Sequence, residues 1–265
     1  MNIFLYTIIF IMGAFFGSFY TLAVYRIPLK QNILYVHSYC PTCNHKLGIW
    51  DLFPILSYLF LGGKCRYCKN KIRIRYFLLE ILSGIVFVLF AISLKINVYN
   101  LDLNNVLYFV FGILYMVTLF IIAGIDKEKI NIQKSVLMYG LFVLAGYIVY
   151  LYILNINIYR YVIYLLIMLL LILTETIYLK NKASSNYTLQ ILTLCTYIGI
   201  FSGEINLLLT IILAIVAIGL KEIIGVLSKN NKQKKEENTK TDKLPIGFYL
   251  CVSNIIVLIT MNLLK

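Results

Sequence analysis

The chain has 265 residues, of which 61% are hydrophobic, and its mean hydropathy is +0.87. Soluble domains are about 45–50% apolar, so this composition excludes an ordinary water-soluble protein. The net charge of +13 could suggest a nucleic-acid-binding protein. However, the many aromatic residues lie within long apolar runs and near their ends, as in membrane proteins. The sequence therefore predicts an integral membrane protein that contacts the lipid bilayer and has no nucleic-acid partner.

Apolar stretches of the length that crosses a bilayer recur along the whole chain. About 20 apolar residues in a helix cross the roughly 30 Å of hydrocarbon. The stretch 187–202 is the weakest candidate, because it is short and contains Gln190, Thr193 and Thr196. We predict an all-α fold, a polytopic membrane protein with about eight transmembrane helices, near 3–25, 77–98, 106–125, 133–155, 158–179, 187–202, 205–228 and 244–264.

The positions of the basic residues predict the orientation in the membrane. Lys and Arg are concentrated in cytoplasmic loops of membrane proteins. Of the 24 Lys and Arg residues, 21 lie in four segments that a single orientation puts on the cytoplasmic side. An odd number of spans, with one terminus on the opposite side, is the alternative. The four segments are 26–76, 126–134, 180–186 and 221–243.

Three regions follow from this layout. Residues 1–25 are predicted to form the first transmembrane helix, and residues 26–76 a small cytoplasmic domain. Residues 77–265 are predicted to form the membrane helical domain, with a basic loop near 229–243 that is rich in Lys, Glu and Asn.

The cytoplasmic segment contains two Cys-x-x-Cys pairs, Cys40/Cys43 and Cys65/Cys68. Two such turns about 20 residues apart have the spacing of a four-cysteine zinc site, in which each turn supplies two thiolates. Two disulfides, or four unrelated thiols, are the alternatives. Disulfides are rare where thiols stay reduced, as in the cytoplasm. The spacing and the charge pattern therefore favour one structural Zn²⁺ bound by all four cysteines.

An ordered set of motifs surrounds these cysteines. The set comprises Gly17-Ser18-Phe19, Tyr25-Arg26-x-Pro28, Cys40-Pro41-x-Cys43-x-His45-x-Leu47-x-x-Trp50-Asp51-Leu52-x-Pro54, Ser57-Tyr58-Leu59, Cys65-Arg66-Tyr67-Cys68, Ile72-x-Ile74-Arg75-Tyr76 and Glu80. Over about 65 residues this ordered set resembles the N-terminal region of bacterial type IV prepilin peptidases, polytopic aspartic proteases of the inner membrane.

This resemblance implies an enzyme of the bacterial cytoplasmic (inner) membrane whose active face is cytoplasmic. Members of the family remove a short basic leader from prepilins and pseudopilins, cutting after a glycine and before a hydrophobic helix. Many then methylate the new N-terminal amine, with S-adenosylmethionine as the methyl donor. The implied partners of this chain are prepilin or pseudopilin substrates.

The resemblance also implies a catalytic role for Asp126. The family uses two aspartates near the cytoplasmic ends of helices, since two carboxylates that share a proton can activate a water. Asp126 lies at the predicted cytoplasmic end of the third span, in Gly124-Ile125-Asp126-Lys127. An interfacial acid that pairs with Lys127 or Lys129 is the alternative.

The second aspartate of the family pattern is missing. The family's interval from Asp126 puts its GxGD motif near 184–190. Residues 184–190 are Ser-Ser-Asn-Tyr-Thr-Leu-Gln and contain neither a glycine nor a carboxylate. Glu175, inside the fifth span, could compensate, or it could pair with Lys180. We therefore expect a leader peptidase of impaired activity. A non-catalytic relative that binds prepilins through its zinc-bearing domain is the second hypothesis.

Overall fold

Long apolar runs without internal proline determine the architecture, and over the described residues its long regular elements are all helices. The computed structural model describes residues 2–33, 37–99, 102–181, 186–230 and 244–264. Most of the basic loop predicted near 229–243 lies outside these ranges. The α-helices are α1 (Asn2–Arg26), α2 (Leu56–Phe60), α3 (Ile74–Ser93), α4 (Leu103–Lys129), α5 (Lys134–Ile153), α6 (Tyr159–Asn181), α7 (Tyr187–Ser202), α8 (Glu204–Asn230) and α9 (Ile246–Leu263).

Seven of the described helices are long and apolar enough to cross a membrane: all but α2 and α7. The eighth predicted span, α7, is an apolar helix of 16 residues. At 1.5 Å per residue it is about 24 Å long, shorter than the roughly 30 Å of hydrocarbon. The prediction of an all-α, polytopic membrane protein is confirmed, with α7 as the element whose length departs from the expectation.

The chain forms two compact units, and their boundary falls within α4. The first comprises Met1–Val117 with Asn262–Lys265, and the second comprises Thr118–Met261. In the first unit α1 packs along α3. This contact is close because a Cβ at Gly13 would lie 2.8 Å from the Gly84 Cα atom, and one at Gly17 would lie 2.7 Å from the Glu80 Cα atom. Small residues at helix contacts allow such approach in membrane proteins.

In the second unit α7 is the central element, and it packs against α5, α6 and α8. Its buried polar side chains, among them Gln190 and Thr193, face other helices and therefore do not contact lipid. Asn254 of α9 donates to the Thr210 Oγ1 atom at 3.0 Å. Polar contacts between helices in a membrane are worth roughly 1 kcal/mol each, so they help to fix the register of α8 and α9.

Candidate four-cysteine metal site and buried acid site

The two Cys-x-x-Cys segments form two turns of the same construction. In each turn the first cysteine N–H donates to the carbonyl five residues on, from Cys40 to His45 (3.0 Å) and from Cys65 to Asn70 (2.8 Å). Each turn contains one residue in the left-handed region, Asn44 (φ 55°) or Lys69 (φ 60°). This tight curvature turns both thiols of a pair to the same side.

The four sulfur atoms of Cys40, Cys43, Cys65 and Cys68 all lie within 4.8 Å of one another. The Cys40 and Cys68 Sγ atoms are 3.8 Å apart. Tetrahedral geometry with metal–sulfur bonds near 2.3 Å requires about 3.8 Å between sulfurs, so the donors match a closed four-thiolate site. The Asn70 side chain donates to the Thr42 hydroxyl at 2.7 Å and joins the two turns. The cluster can therefore hold a metal ion.

The protonation of the thiols fits the same conclusion. The backbone N–H groups of Cys43 and Thr42 lower the pKa of Cys40 to about 6. The N–H of Asn70 lowers the pKa of Cys68, but burial and the three neighbouring thiols together raise it to about 11. Four close sulfurs do not all ionise without a cation among them, because like charges repel. A bound divalent metal removes this conflict and releases the remaining protons.

An ion pair between Arg66 and Asp51 supports the loop beside the cysteines. The Arg66 Nε atom donates to the Asp51 carboxylate at 2.6 Å, and the Gly48 N–H donates to the same side chain at 3.2 Å. Burial raises the pKa of Asp51, but the Arg66 guanidinium and the Gly48 N–H outweigh it and keep the pKa below its usual range. Asp51 thus caps the short 3-10 helix Ile49–Asp51.

Asp126 lies near the C-terminal end of α4 and is fully buried. Its Oδ2 atom accepts hydrogen bonds from the Phe248 N–H at 2.9 Å and from the Tyr187 hydroxyl at 3.0 Å. The Tyr187 oxygen in turn accepts from the Gly247 N–H at 3.2 Å. The first N–H groups of a helix have no partner within it. Asp126 and Tyr187 therefore cap the N-terminus of α9 from two other helices.

A glycine lies at the closest approach of α9 to Asp126. A Cβ at Gly247 would lie 3.0 Å from the Asp126 Oδ2 atom, so the carboxylate would have to shift by a few tenths of an ångström to accept it. The Lys127 ammonium lies 4.8 Å from the centre of the Phe248 ring, a favourable cation–π distance. The other Asp126 oxygen, Oδ1, is buried and has no hydrogen-bond partner among the described residues.

Tyr187 occupies the stretch in which the family pattern predicts the second aspartate. Its neighbour Asn186 instead accepts a hydrogen bond from the Thr188 hydroxyl at 2.6 Å. Among the described residues of this stretch, 186–190, Tyr187 is the one whose side chain donates a hydrogen bond to Asp126. Residues 182–185 lie outside the described part of the chain.

The other buried acid of the second unit, Glu175, is bound to α7. Its Oε1 atom accepts from the Gln190 amide at 2.7 Å, and the Gln190 carbonyl oxygen accepts from the Ile132 N–H at 2.9 Å. Gln190 lies three residues after Tyr187, on the same face of α7. The predicted pairing of Glu175 with Lys180 is not tested, because the Lys180 side chain lies outside the described residues.

Sequence reasoning missed Tyr187 and Gln190 as site residues. The signal that could have found them is their spacing: Tyr187 and Gln190 lie three residues apart in a short apolar helix, so they share one face, and such a pair indicates a buried polar face. The two described cavities, of about 310 Å³ each, are lined mainly by apolar side chains. Their linings do not offer the charged and polar side chains that would bind the charged and polar groups of S-adenosylmethionine.

Residues 11–94 match the family model described as "Bacterial Peptidase A24 N-terminal domain". Proteins named prepilin leader peptidase/N-methyltransferase are similar to the chain. The one from Vibrio cholerae is 36% identical over 151 residues, 54% of this chain and 56% of the relative. Those from Myxococcus xanthus and Bacillus subtilis are each 40% identical, over 30% and 34% of this chain.

The chain thus matches about half of the Vibrio cholerae relative, and 24% and 38% of the other two. No solved structure matches the chain. The matched part contains the four cysteines and the motifs around them. By this N-terminal region the chain is similar to bacterial prepilin leader peptidases/N-methyltransferases.

Proposed function

We propose that the chain is a membrane aspartic endopeptidase of reduced rate that removes leader peptides from type IV prepilins or pseudopilins. The observation that supports this most directly is Asp126, a buried carboxylate with one oxygen fixed by α9 and the other without a partner among the described residues. A carboxylate inside a membrane helix costs free energy. Its specific hydrogen bonds with α9 and Tyr187 therefore support a functional role.

In the proposed reaction Asp126 acts as the general base. Its Oδ1 atom takes a proton from the water whose oxygen attacks the scissile carbonyl, and returns that proton to the leaving amine as the C–N bond breaks, while Oδ2 stays bound to the Phe248 N–H. The second group of the site is Tyr187, which donates a hydrogen bond to Asp126. A phenol does not share a proton with a carboxylate as a second carboxylate does, and this is the physical reason for the reduced rate.

One observation favours the second candidate, a relative that binds prepilins without cutting them. Asp126 is fully buried, and its Oδ2 atom, together with the Tyr187 hydroxyl, satisfies the N-terminus of α9. A group with this arrangement can serve as a structural cap alone. Catalysis requires that a substrate displace part of this packing.

Cleavage by membranes that contain the chain separates the two candidates. We expect a generic prepilin, with a basic leader before Gly-Phe, to be shortened slowly after the glycine, as shown by the mass of the product. A prepilin that cross-links to the chain but keeps its full mass would support the binding function instead.

We propose Zn²⁺ as the metal of the four cysteines, because a closed set of four thiolates in tetrahedral geometry is typical of structural zinc sites. Its role is to hold the loop between α1 and α3 together. The names of the relatives include an N-methyltransferase activity. For this chain methylation with S-adenosylmethionine stays a proposal without an assigned residue, and mass analysis of cleaved product for an added methyl group tests it.

We also propose that the four-cysteine loop faces the cytoplasm, because of its many basic residues. Reporter fusions test this. Green fluorescent protein joined after Asn70 should fluoresce, and alkaline phosphatase joined after Asp102 should be active, since each reporter works on one side only. The reverse pattern would contradict the orientation.

A further inference from the structure

A set of exposed apolar side chains lies in the loop between α1 and α3. Ile49 and Trp50, in the 3-10 helix, are 82% and 80% exposed, and Phe60, at the end of α2, is 85% exposed. Leu56 and Leu59 of α2 are exposed as well, and α2 packs against the 3-10 helix. Because α2 packs against the 3-10 helix, these exposed apolar side chains belong to one segment, which we name the wedge (residues Ile49–Phe60). Such a surface indicates an interaction site.

The wedge does not stand away from the membrane helices but lies along them. The Phe53 ring contacts the Phe15 ring edge-on, with 5.3 Å between the centroids. Phe15 is eleven residues before Arg26, the last residue of α1, and this corresponds to about 16 Å along the helix axis. Since α1 is long and apolar enough to cross the bilayer, Phe53 lies at a depth where α1 passes through hydrocarbon.

Contacts with α3 fix the wedge at a similar level. The Tyr58 ring stacks on the Phe77 ring with 4.9 Å between centroids. The Ile55 N–H donates to the Glu80 carboxylate at 2.8 Å. Glu80 lies five residues beyond Arg75, an exposed cationic residue near the start of α3, and so about 7 Å further along the helix.

The Glu80 contact provides what a loop N–H needs inside lipid, a hydrogen-bond acceptor from the protein. Ile55 has a positive φ of 63°, and a non-helical N–H at this depth needs an acceptor, because hydrocarbon supplies none. Glu80 is buried and supplies that acceptor. This also explains why an acidic residue is tolerated within an apolar helix.

We propose that the wedge is a re-entrant element inserted into the bilayer, in the leaflet at the C-terminal end of α1, with lipid as its partner. The helices that the wedge touches also expose apolar side chains, among them Phe15 of α1 and Leu78 of α3. Exposed Arg73 and Arg75 follow in the chain and suit the anionic headgroups at the edge of that leaflet. The proposal is independent of the proposed peptidase activity.

The only tryptophan of the sequence, Trp50, allows a test on the unaltered protein. The full chain is placed in nanodiscs of phosphatidylethanolamine and phosphatidylglycerol, whose two faces are both open to water. We expect lipid brominated on the acyl chains to remove most of the Trp50 emission, and aqueous iodide to remove little. A water-like emission that iodide quenches and brominated lipid does not would overturn the proposal.

Two further proteins locate the insertion. Both carry Trp50→Phe, so each has one tryptophan at a new position. The variant with Phe60→Trp should be quenched mainly by brominated lipid, as Trp50 is. The variant with Tyr39→Trp, near the cysteines, should be quenched mainly by iodide. Equal lipid quenching at positions 39 and 50 would overturn selective insertion of the wedge. Trp50 emission that is water-like in nanodiscs, and becomes shielded only when an apolar helical peptide is added, would assign the surface to a protein partner instead.

Discussion

Purified chain with Cys40→Ser and Cys65→Ser is expected to contain no bound zinc, whereas the unchanged chain contains one equivalent. Each substitution removes a ligand from a different turn, so the two remaining thiols, Cys43 and Cys68, cannot complete a tetrahedron. Structural zinc in small domains supplies an apparent free energy of about 10–16 kcal/mol at neutral pH. The loop between α1 and α3 should therefore lose its fold. Metal analysis and limited proteolysis of the loop measure both effects.

The matched control is Cys195→Ser, a half-buried thiol of α7 that is not part of the cluster. It should keep the full zinc content and the protease resistance of the loop. Equal zinc content in the double variant and the unchanged chain would contradict the assignment of the four cysteines. An unchanged chain that binds no zinc would exclude a zinc site altogether.

Tyr187→Asp is expected to raise the rate of leader cleavage by about 10²-fold or more, the scale of positioned acid–base groups. The Tyr187 hydroxyl lies 3.0 Å from the Asp126 Oδ2 atom, so this position lies beside the first carboxylate. A shorter acid at 187 also leaves room for a water between the two groups. Initial rates of prepilin shortening, at matched amounts of protein, measure the effect.

Two variants serve as controls for this result. Asn186→Asp should give a smaller gain, because its neighbour and not Asn186 reaches Asp126. Tyr187→Phe removes the hydroxyl without adding an acid and should give no gain. Strong cleavage by the unchanged chain that is lost on Glu175→Gln would show that Glu175 is the second acid. The explanation of a reduced rate through Tyr187 would then be wrong.

Local pattern accounts for what the sequence predicted well. The apolar runs determine the helices because only helices satisfy the backbone within hydrocarbon. The distances within Cys40-x-x-Cys43 and Cys65-x-x-Cys68 are set by one turn each, so their spacing was enough to predict that four thiols meet. These features depend on residues close together in the sequence, and their outcome needed no knowledge of the tertiary packing.

Contacts between distant segments were beyond the sequence. The Asp126 carboxylate meets the Phe248 N–H, which lies 122 residues away, and Tyr187, which lies 61 residues away. Neither a backbone N–H nor a tyrosine at a helix start has a pattern that marks it as a partner of an acid. The contact of Phe53 with Phe15 was equally hidden, because it joins two segments that are not adjacent in the sequence.

The rate of leader removal by the unchanged chain, beside Asp126→Asn, tests the central proposal most directly. Asparagine keeps an oxygen that can accept from the Phe248 N–H, so the cap of α9 is preserved, but it does not act as a base. Asp126→Ala lacks both and leaves that buried N–H unpaired, a cost of about 1–3 kcal/mol. We predict slow cleavage by the unchanged chain and none by Asp126→Asn, with both proteins equally stable. Equal cleavage by the two proteins would contradict a catalytic Asp126.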